Sequence, residues 1–399
     1  MRKPYIFCFI LLFTYRGLPF TITGVRLTFI LPSLEAGGGA EKAVVLLATG
    51  LQQRGHEITL ITLSHTASDA HLLPEGARRI ALDIRAESAN IFSGLWRNGK
   101  RLRVLRQAIL ATQPEIVIPH INQTNVLTAF ALLGTGRPVV AVEHSGTLLK
   151  SPSVVWRALR RVIYPRVARV VCVSKGAANY FSWLPDSRKM VIYNPLIAPP
   201  EAPVPALAEI DHHKRWVVAM GRMLRVKGFD LLLRAWAQVG PRHTDWQLII
   251  MGEGPLLDKL IGQPDAAGLE KSVVFTGLVP NPFPLLRQAE LFVMPSRAEG
   301  LPYALLEAMA CGCPAVAFDC PDGPREIIRH EKDGLLITNG DVNALAAALE
   351  RLLSDENERR RLAANAPEVL TRFGLARALD DWEKLFAEIA LSSTIKETL

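Results

Sequence analysis

Several function classes are excluded by what this chain does not contain. There is no Gly-x-Gly-x-x-Gly run, and no Asp or Glu closes the strand after its glycine cluster, so the fingerprint of a nicotinamide-dependent oxidoreductase is missing. Zinc-finger spacing and aromatic-interleaved strand motifs are also absent, which ranks nucleic acid low among partners. The five cysteines, Cys8, Cys172, Cys311, Cys313 and Cys320, have no paired ligand spacing. Reduced, buried thiols of a cytosolic protein fit them better than a metal site. The N-terminal MRKPYIFCFILLFTYRG has a basic start and an apolar core of about ten residues, where spanning a bilayer takes roughly twenty. No Ala-x-Ala-like cleavage site follows it. Residues 1–24 therefore read as a weak anchor or as a mis-called extension ahead of a valine start at Val25.

The remainder is ordinary globular material, with 49% apolar and 21% charged residues, in a chain of 399 that exceeds what one core serves. Charge is divided unevenly. Residues 25–200 carry 21 Lys and Arg against 10 Asp and Glu, while residues 201–399 carry 22 against 28. The surplus concentrates in RNGKRLRVLR (Arg97 to Arg106) and WRALRRVIYPRVAR (Trp156 to Arg169), where apolar residues recur at helical spacing beneath the arginines. Such a face suits an anionic membrane surface or plain solvation.

From Val25 short apolar runs alternate with amphipathic stretches: VRLTFILP, HEITLITL, EIVIPH, PVVAVEH and RVVCVS read as buried strands, each followed by a loop and a helix. The proline-dense segment 195–214 reads as a linker without a packed element. Beyond it the alternation restarts with RWVVAMG, WQLIIMGEG, SVVFTG, LFVMPS and PAVAFDC. The expected fold class is α/β, with two doubly wound parallel-sheet domains, 25–194 and 215–375, facing each other across a cleft. Residues 376–399 form a helix crossing back to the first domain. A ligand is expected between the domains, at the carboxyl ends of the strands.

The chemistry concentrates there. LPSLEAGGGAEKA sets Gly37, Gly38 and Gly39 ahead of a helix, where bare amides favour an anion. GRMLRVKGFD presents Arg222 and Lys227 just past a strand, two cations suited to a diphosphate. RAEGLPYALLEA places Glu299 in the loop before a helix start and Glu307 over a turn into the helix, around Gly300, Leu301, Pro302 and Tyr303. Carboxylates repel phosphate, so this pair suits hydroxyl groups on either side of a diphosphate, a sugar and a ribose.

Taken together, Glu-x7-Glu in a strand-loop-helix setting, GR followed by KG, the MGEGP strand end and the Gly-Gly-Ala-Glu loop resemble the retaining glycosyltransferases of family 4, with the GT-B fold. The resemblance spans nearly all of residues 25–390. It implies that Glu299 contacts hydroxyls of the transferred sugar and Glu307 those of the ribose, and that Arg222 and Lys227 stabilise the leaving diphosphate. Gly38 and Gly39 then approach the phosphates or sugar, and His144 in AVEHSGT lies near the donor sugar. Gly252, Glu253 and Gly254 belong near the nucleoside, with Val279, Pro280 and Asn281 beside the base. DCPDGPREII resembles the branch acting on galactose or N-acetylgalactosamine, with Glu326 at the sugar or phosphate edge. The resemblance further implies a UDP-linked donor, no cofactor or metal (no Asp-x-Asp occurs) and a lipid-linked saccharide acceptor. Its setting is the cytoplasm, peripheral at the inner face of the plasma membrane. Two rival readings are a nucleotide-sugar epimerase of the same fold and a non-catalytic membrane-associated scaffold.

Overall fold

A computed structural model describes residues 23–34, 39–66, 69, 73–84, 91–144, 153–205, 207, 209–262 and 268–398, with backbone alone for 91–98 and 393–398. The expectations for residues 1–22 and for Gly37 and Gly38 lie outside the described residues.

The first domain runs β1 (Arg26–Leu31), α1 (Gly39–Gln53), β2 (Glu57–Thr62), β3 (Arg78–Ala81), α2 (Ile91–Ala111), β4 (Ile116–Pro119) and α3 (Asn122–Ala131), then β5 (Val140–Glu143), α4 (Val154–Ile163), β6 (Arg169–Cys172), α5 (Lys175–Tyr180) and β7 (Lys189–Val191). Its strands are parallel, in the orders β3-β2-β1-β4 and β5-β6-β7. Isolated parallel bridges, Val117 to Val139 and His120 to Val142, stitch the two groups together. Helices cover both faces of a parallel sheet, so strands such as β1 and β4 bury residues on both sides and read as unbroken apolar runs.

The second domain repeats the plan with β8 (Arg215–Met220), α6 (Phe229–Val239), β9 (Trp246–Met251), α7 (Leu257–Ile261), β10 (Val273–Gly277), α8 (Phe283–Gln288), β11 (Leu291–Met294), α9 (Tyr303–Ala310), β12 (Ala315–Asp319), α10 (Pro324–Ile327) and β13 (Gly334–Thr338). The sheet order is β10-β9-β8-β11-β12-β13, all parallel. Strand order reverses between β1 and β4 in one domain and between β8 and β11 in the other. Those are the crevices where an open α/β sheet binds its ligands. The segments following β1, β4, β8 and β11 carry Gly39, His120, Lys227 and Glu299, so the topology gathers the chemistry at both crevices.

After α11 (Val342–Ser354), α12 (Glu356–Asn365) and α13 (Val369–Phe373), the long α14 (Leu375–Thr398) returns to the first domain. It lies against α1, where Gly50 admits Leu379 and Arg54 pairs with Asp380 and Glu383 at 2.7 Å. One apolar cluster consequently runs from Phe29, Val44 and Val142 through Leu196 to Trp216, Phe292 and Leu306, and on to Trp382 and Phe386.

The linker differs from its expectation in one respect. It lacks regular elements through most of its length, yet it is docked. Leu196 exchanges backbone bonds with Phe373 and Leu375 at 2.8 and 2.9 Å, and Arg287 bonds the carbonyls of Pro199 and Pro200. Proline removes the donors needed for a ladder but leaves carbonyls free to accept from neighbouring elements.

Candidate active site

The loop between β11 and α9 organises the second-domain face. Pro302 caps α9 in an extended conformation and the helix proper starts at Tyr303, leaving its first amides without intrahelical partners. Glu299, only 7% exposed, stands just before it. One of its oxygens accepts from Lys227 Nζ and from Ser296 Oγ, both at 2.6 Å. Arg297 straps this loop to the lysine-bearing turn by bonding the Arg225 carbonyl at 2.7 Å and pairing with Asp230 through both nitrogens, at 2.7 and 2.6 Å. Burial opposes ionisation of Asp230, but the Arg297 bonds and charge outweigh it and hold that carboxyl below its ordinary value. Arg222 is exposed and has no side-chain partner among the described residues.

Glu307, 6% exposed, faces the first domain and pairs with Lys42 of α1. The Lys42 ammonium also lies 5.1 Å from the Phe283 ring centroid and 6.0 Å from that of Tyr303. The Tyr303 hydroxyl donates to the Pro195 carbonyl at 2.8 Å, and burial, seconded by Glu307, keeps that phenol protonated. Gly39 abuts Tyr303: a Cβ placed on it stands 3.1 Å from the ring. First-domain backbone thus reaches the start of α9.

At the β9 end, Gly252 takes φ +136°, and a Cβ there falls 2.1 Å from the Gly221 carbonyl oxygen. Only glycine lets the two strand-end loops close to this distance. The Glu253 carbonyl accepts from the Met223 amide at 2.8 Å, its carboxylate accepts from Leu278, and Gly254 packs on the Met223 backbone. Val279, Pro280 and Asn281 follow on the adjoining loop, where Asn281 Oδ1 accepts from the Phe283 amide at 3.3 Å.

In the first domain, His144 Nε2 lies 2.8 Å from His120 Nδ1. Burial lowers His144 to about 4, and burial followed by the charge of its neighbour pushes His120 well below its usual range. Both shifts favour the neutral form of the rings.

Glu326 is placed differently from its expectation at a sugar or phosphate edge. Its oxygens accept from the amides of Lys175 and Gly176, at 2.9 and 3.1 Å, and from the Tyr193 hydroxyl at 2.9 Å. It caps a first-domain helix from across the cleft, because α5 leaves its first amides bare and α10 brings a carboxylate to them.

Sequence reading missed Lys42, Ser296, Arg297 and His120. Lys42 was visible as the cation in the glycine-loop helix, and His120 stands at a strand's carboxyl end as His144 does. The four described cysteines are free, and burial leads the shifts that push Cys172 and Cys320 up to about 12 and Cys311 to about 11. Thiols with such values are poor nucleophiles.

Two family profiles match in succession: Glycosyltransferase Family 4 over residues 37–199 and Glycosyl transferases group 1 over residues 206–369. A lipopolysaccharide core biosynthesis glycosyltransferase of Rhizobium meliloti is 30% identical over 357 residues, covering 88% of this chain and 95% of the relative. An α-1,4-N-acetyl-D-galactosaminyltransferase of Campylobacter jejuni, named for a GalNAc-containing undecaprenol diphosphate acceptor, is 27% identical across 92% of this chain and 99% of its own length. Among solved structures, Anabaena HepE in complex with UDP and glucose superposes with a TM-score of 0.73 at 20% identity, over 91% of this chain and 99% of that one. Two parallel-sheet domains that bring Gly39, Lys227 and the paired glutamates to facing crevices, matched by both profiles and by a near full-length relative, make this chain a member of glycosyltransferase family 4, with the GT-B fold.

Proposed function

We propose that the protein moves a galactose- or N-acetylgalactosamine-type sugar from a UDP-linked donor to a lipid-linked saccharide, with retention and without a metal. The observation that carries this reading is the pairing of Glu299 with Lys227 at 2.6 Å beside the start of α9, with Glu307 on the same helix. Lys227, a cation suited to phosphate, pairs with Glu299, and Glu307, a carboxylate suited to hydroxyls, lies about a turn into the helix. The name of the Campylobacter relative supports the sugar and the acceptor class.

In this mechanism Lys227 and Arg222 take up charge as the bond from the sugar's anomeric carbon to the phosphate oxygen breaks, its electron pair leaving with the phosphate. The acceptor hydroxyl bonds that carbon from the same face, and its proton passes to the departing phosphate oxygen. Glu299 and His144 hold the sugar, Glu307 the ribose, and the loops carrying Gly252 and Asn281 the nucleoside. Glu326 keeps the domains closed around them.

For the acceptor, α4 offers Val154, Val155 and Val162, exposed at 71%, 64% and 52%, beside exposed Arg157, Arg161 and Arg166. That mixture suits an anionic lipid surface. Not all of the basic segment faces outward, since Arg160 turns inward and pairs with buried Glu143 at 3.5 Å. Among the described residues no helix is long and apolar enough to cross a membrane.

The test incubates purified protein with UDP-galactose or UDP-N-acetylgalactosamine and a polyprenyl-diphosphate saccharide, following the product's anomeric coupling by proton NMR. The expected product keeps the donor's configuration and forms at the same rate in EDTA. Donor epimerised without consumption of acceptor supports the epimerase instead, and no turnover of either donor supports the scaffold.

A further inference from the structure

His120 holds a place that transferase chemistry has not yet used. It directly follows β4, and the bridge from His120 to Val142 sets its register against β5. Side chains two apart share a strand face, so Val142 and His144 point the same way and the two imidazoles meet. The backbone there is pinned: the His120 amide donates to the Ile30 carbonyl at 2.9 Å and the Ile121 amide to the Val142 carbonyl at 3.2 Å. Ile121 takes φ +72°, a value that a β-branched residue rarely adopts, so the surrounding structure enforces this turn at a cost in backbone strain. The His120 ring is 2% exposed and stacks on Phe29, centroids 5.8 Å apart. It has no freedom to turn away from His144.

Two neutral imidazoles joined at 2.8 Å share one proton in that bond, which leaves two arrangements. Either His120 Nδ1–H donates to His144 Nε2, or His144 Nε2–H donates to His120 Nδ1. The outer nitrogens, His120 Nε2 and His144 Nδ1, are buried without a hydrogen-bond partner among the described residues. His120 lines a small cavity walled mainly by apolar side chains such as Ala43, Leu47, Val142 and Val173, with Tyr193 and Asn194 also on its wall. No described polar atom bonds His120 Nε2 there, and a bare acceptor lone pair is buried at lower cost than an orphaned N–H. The first arrangement puts the lone pair on His120 Nε2 and the remaining N–H on His144 Nδ1.

We propose that His120 is a positioning residue: its Nδ1–H donates to Nε2 of His144 and fixes His144 as a neutral hydrogen-bond donor, through Nδ1–H, to an oxygen of the transferred sugar. The sugar as recipient rests on the function proposed above; the tautomer does not. With Nε2 accepting from His120 and Nδ1 protonated, His144 has no free lone pair with which to act as a base. The acceptor's proton is then left to the departing phosphate.

The test has two readouts. Long-range nitrogen–proton NMR on the full chain with 15N-labelled histidine, with signals assigned through His120→Asn and His144→Gln, reads the tautomers directly. His144 is expected as the Nδ1–H form in the unmodified protein, and the Nε2–H form overturns the proposal whether or not transfer is detected. In kinetics, His120→Phe keeps the stacking shape and loses the donor, and is expected to lower kcat about ten-fold or more with the UDP dissociation constant unchanged. His120→Asn places an amide N–H near the position of Nδ1 and is expected to recover activity to within about three-fold, whereas His120→Gln, whose amide reaches the Nε2 position, is not. Equal activity of the Phe and Asn variants also overturns the proposal. Should the Phe variant fail to fold, the tautomer in the unmodified protein still decides.

Discussion

Replacing Lys227 with alanine lowers kcat by roughly two to three orders of magnitude while the chain stays folded, the scale seen when one preorganised group is taken from developing transition-state charge. The lysine sits on a short turn just past β8, is only partly covered and reaches Glu299 at 2.6 Å. Its removal leaves Glu299 with the Ser296 hydroxyl as its side-chain partner. The uncompensated carboxylate costs about 1–3 kcal/mol of stability, which a two-domain protein of this size is expected to survive. Lys227→Arg does not restore the rate, because a planar fork cannot replace a compact ammonium in this space. The measurement is kcat and KM at saturating acceptor, alongside the urea midpoint. A loss of less than about five-fold in kcat contradicts the assignment of Lys227 to the leaving diphosphate.

The next largest effect is on stability. Gly228 ends the lysine-bearing turn at φ +69°, and a Cβ there falls 1.9 Å from the Pro295 carbonyl oxygen and 2.9 Å from its carbon. Both obstacles are backbone, so no rotamer change relieves them. Gly228→Ala combines the left-handed penalty with a forced separation of the β8 and β11 ends, together roughly 3–4 kcal/mol. That corresponds to a fall in Tm on the order of 10 °C. The contrasting change is Gly99→Ala, in the interior of α2, exposed and with nothing described within 4 Å. It is expected to stabilise by about 0.5–1 kcal/mol through helix propensity alone. Thermal unfolding of both variants is the check; similar values for the two contradict the close approach at Gly228.

The sheet-helix alternation was legible because buried parallel strands are written as apolar runs. β3, β7 and β13 were not recognised, and all three lie at sheet edges. RRIA and KMV carry charged residues and are mostly half-buried or exposed, and only the first two residues of GLLIT are fully buried. Where one side of a strand meets no partner, the apolar signature fades. At the site, the paired glutamates could be read because a helix start fixes their spacing locally. The partner of Glu307 could not, since Lys42 stands 265 positions away and meets it only when the domains face each other. Glu326 shows the same limit, because a carboxylate suited to a ligand is equally suited to two bare helix amides supplied by the other domain.

The central claim is that the cleft binds a nucleoside diphosphate through the start of α9, with Glu299 just before it and Glu307 on it. Thermal unfolding of the purified protein with UDP, GDP, ADP or NAD, with Glu307→Ala alongside, tests it most directly. A ligand at 100 times its dissociation constant adds roughly 2.7 kcal/mol to stability. The expected result is stabilisation by UDP in preference to the others, weakened in the Glu307 variant. Stabilisation by NAD alone, or by none of the four, contradicts the account.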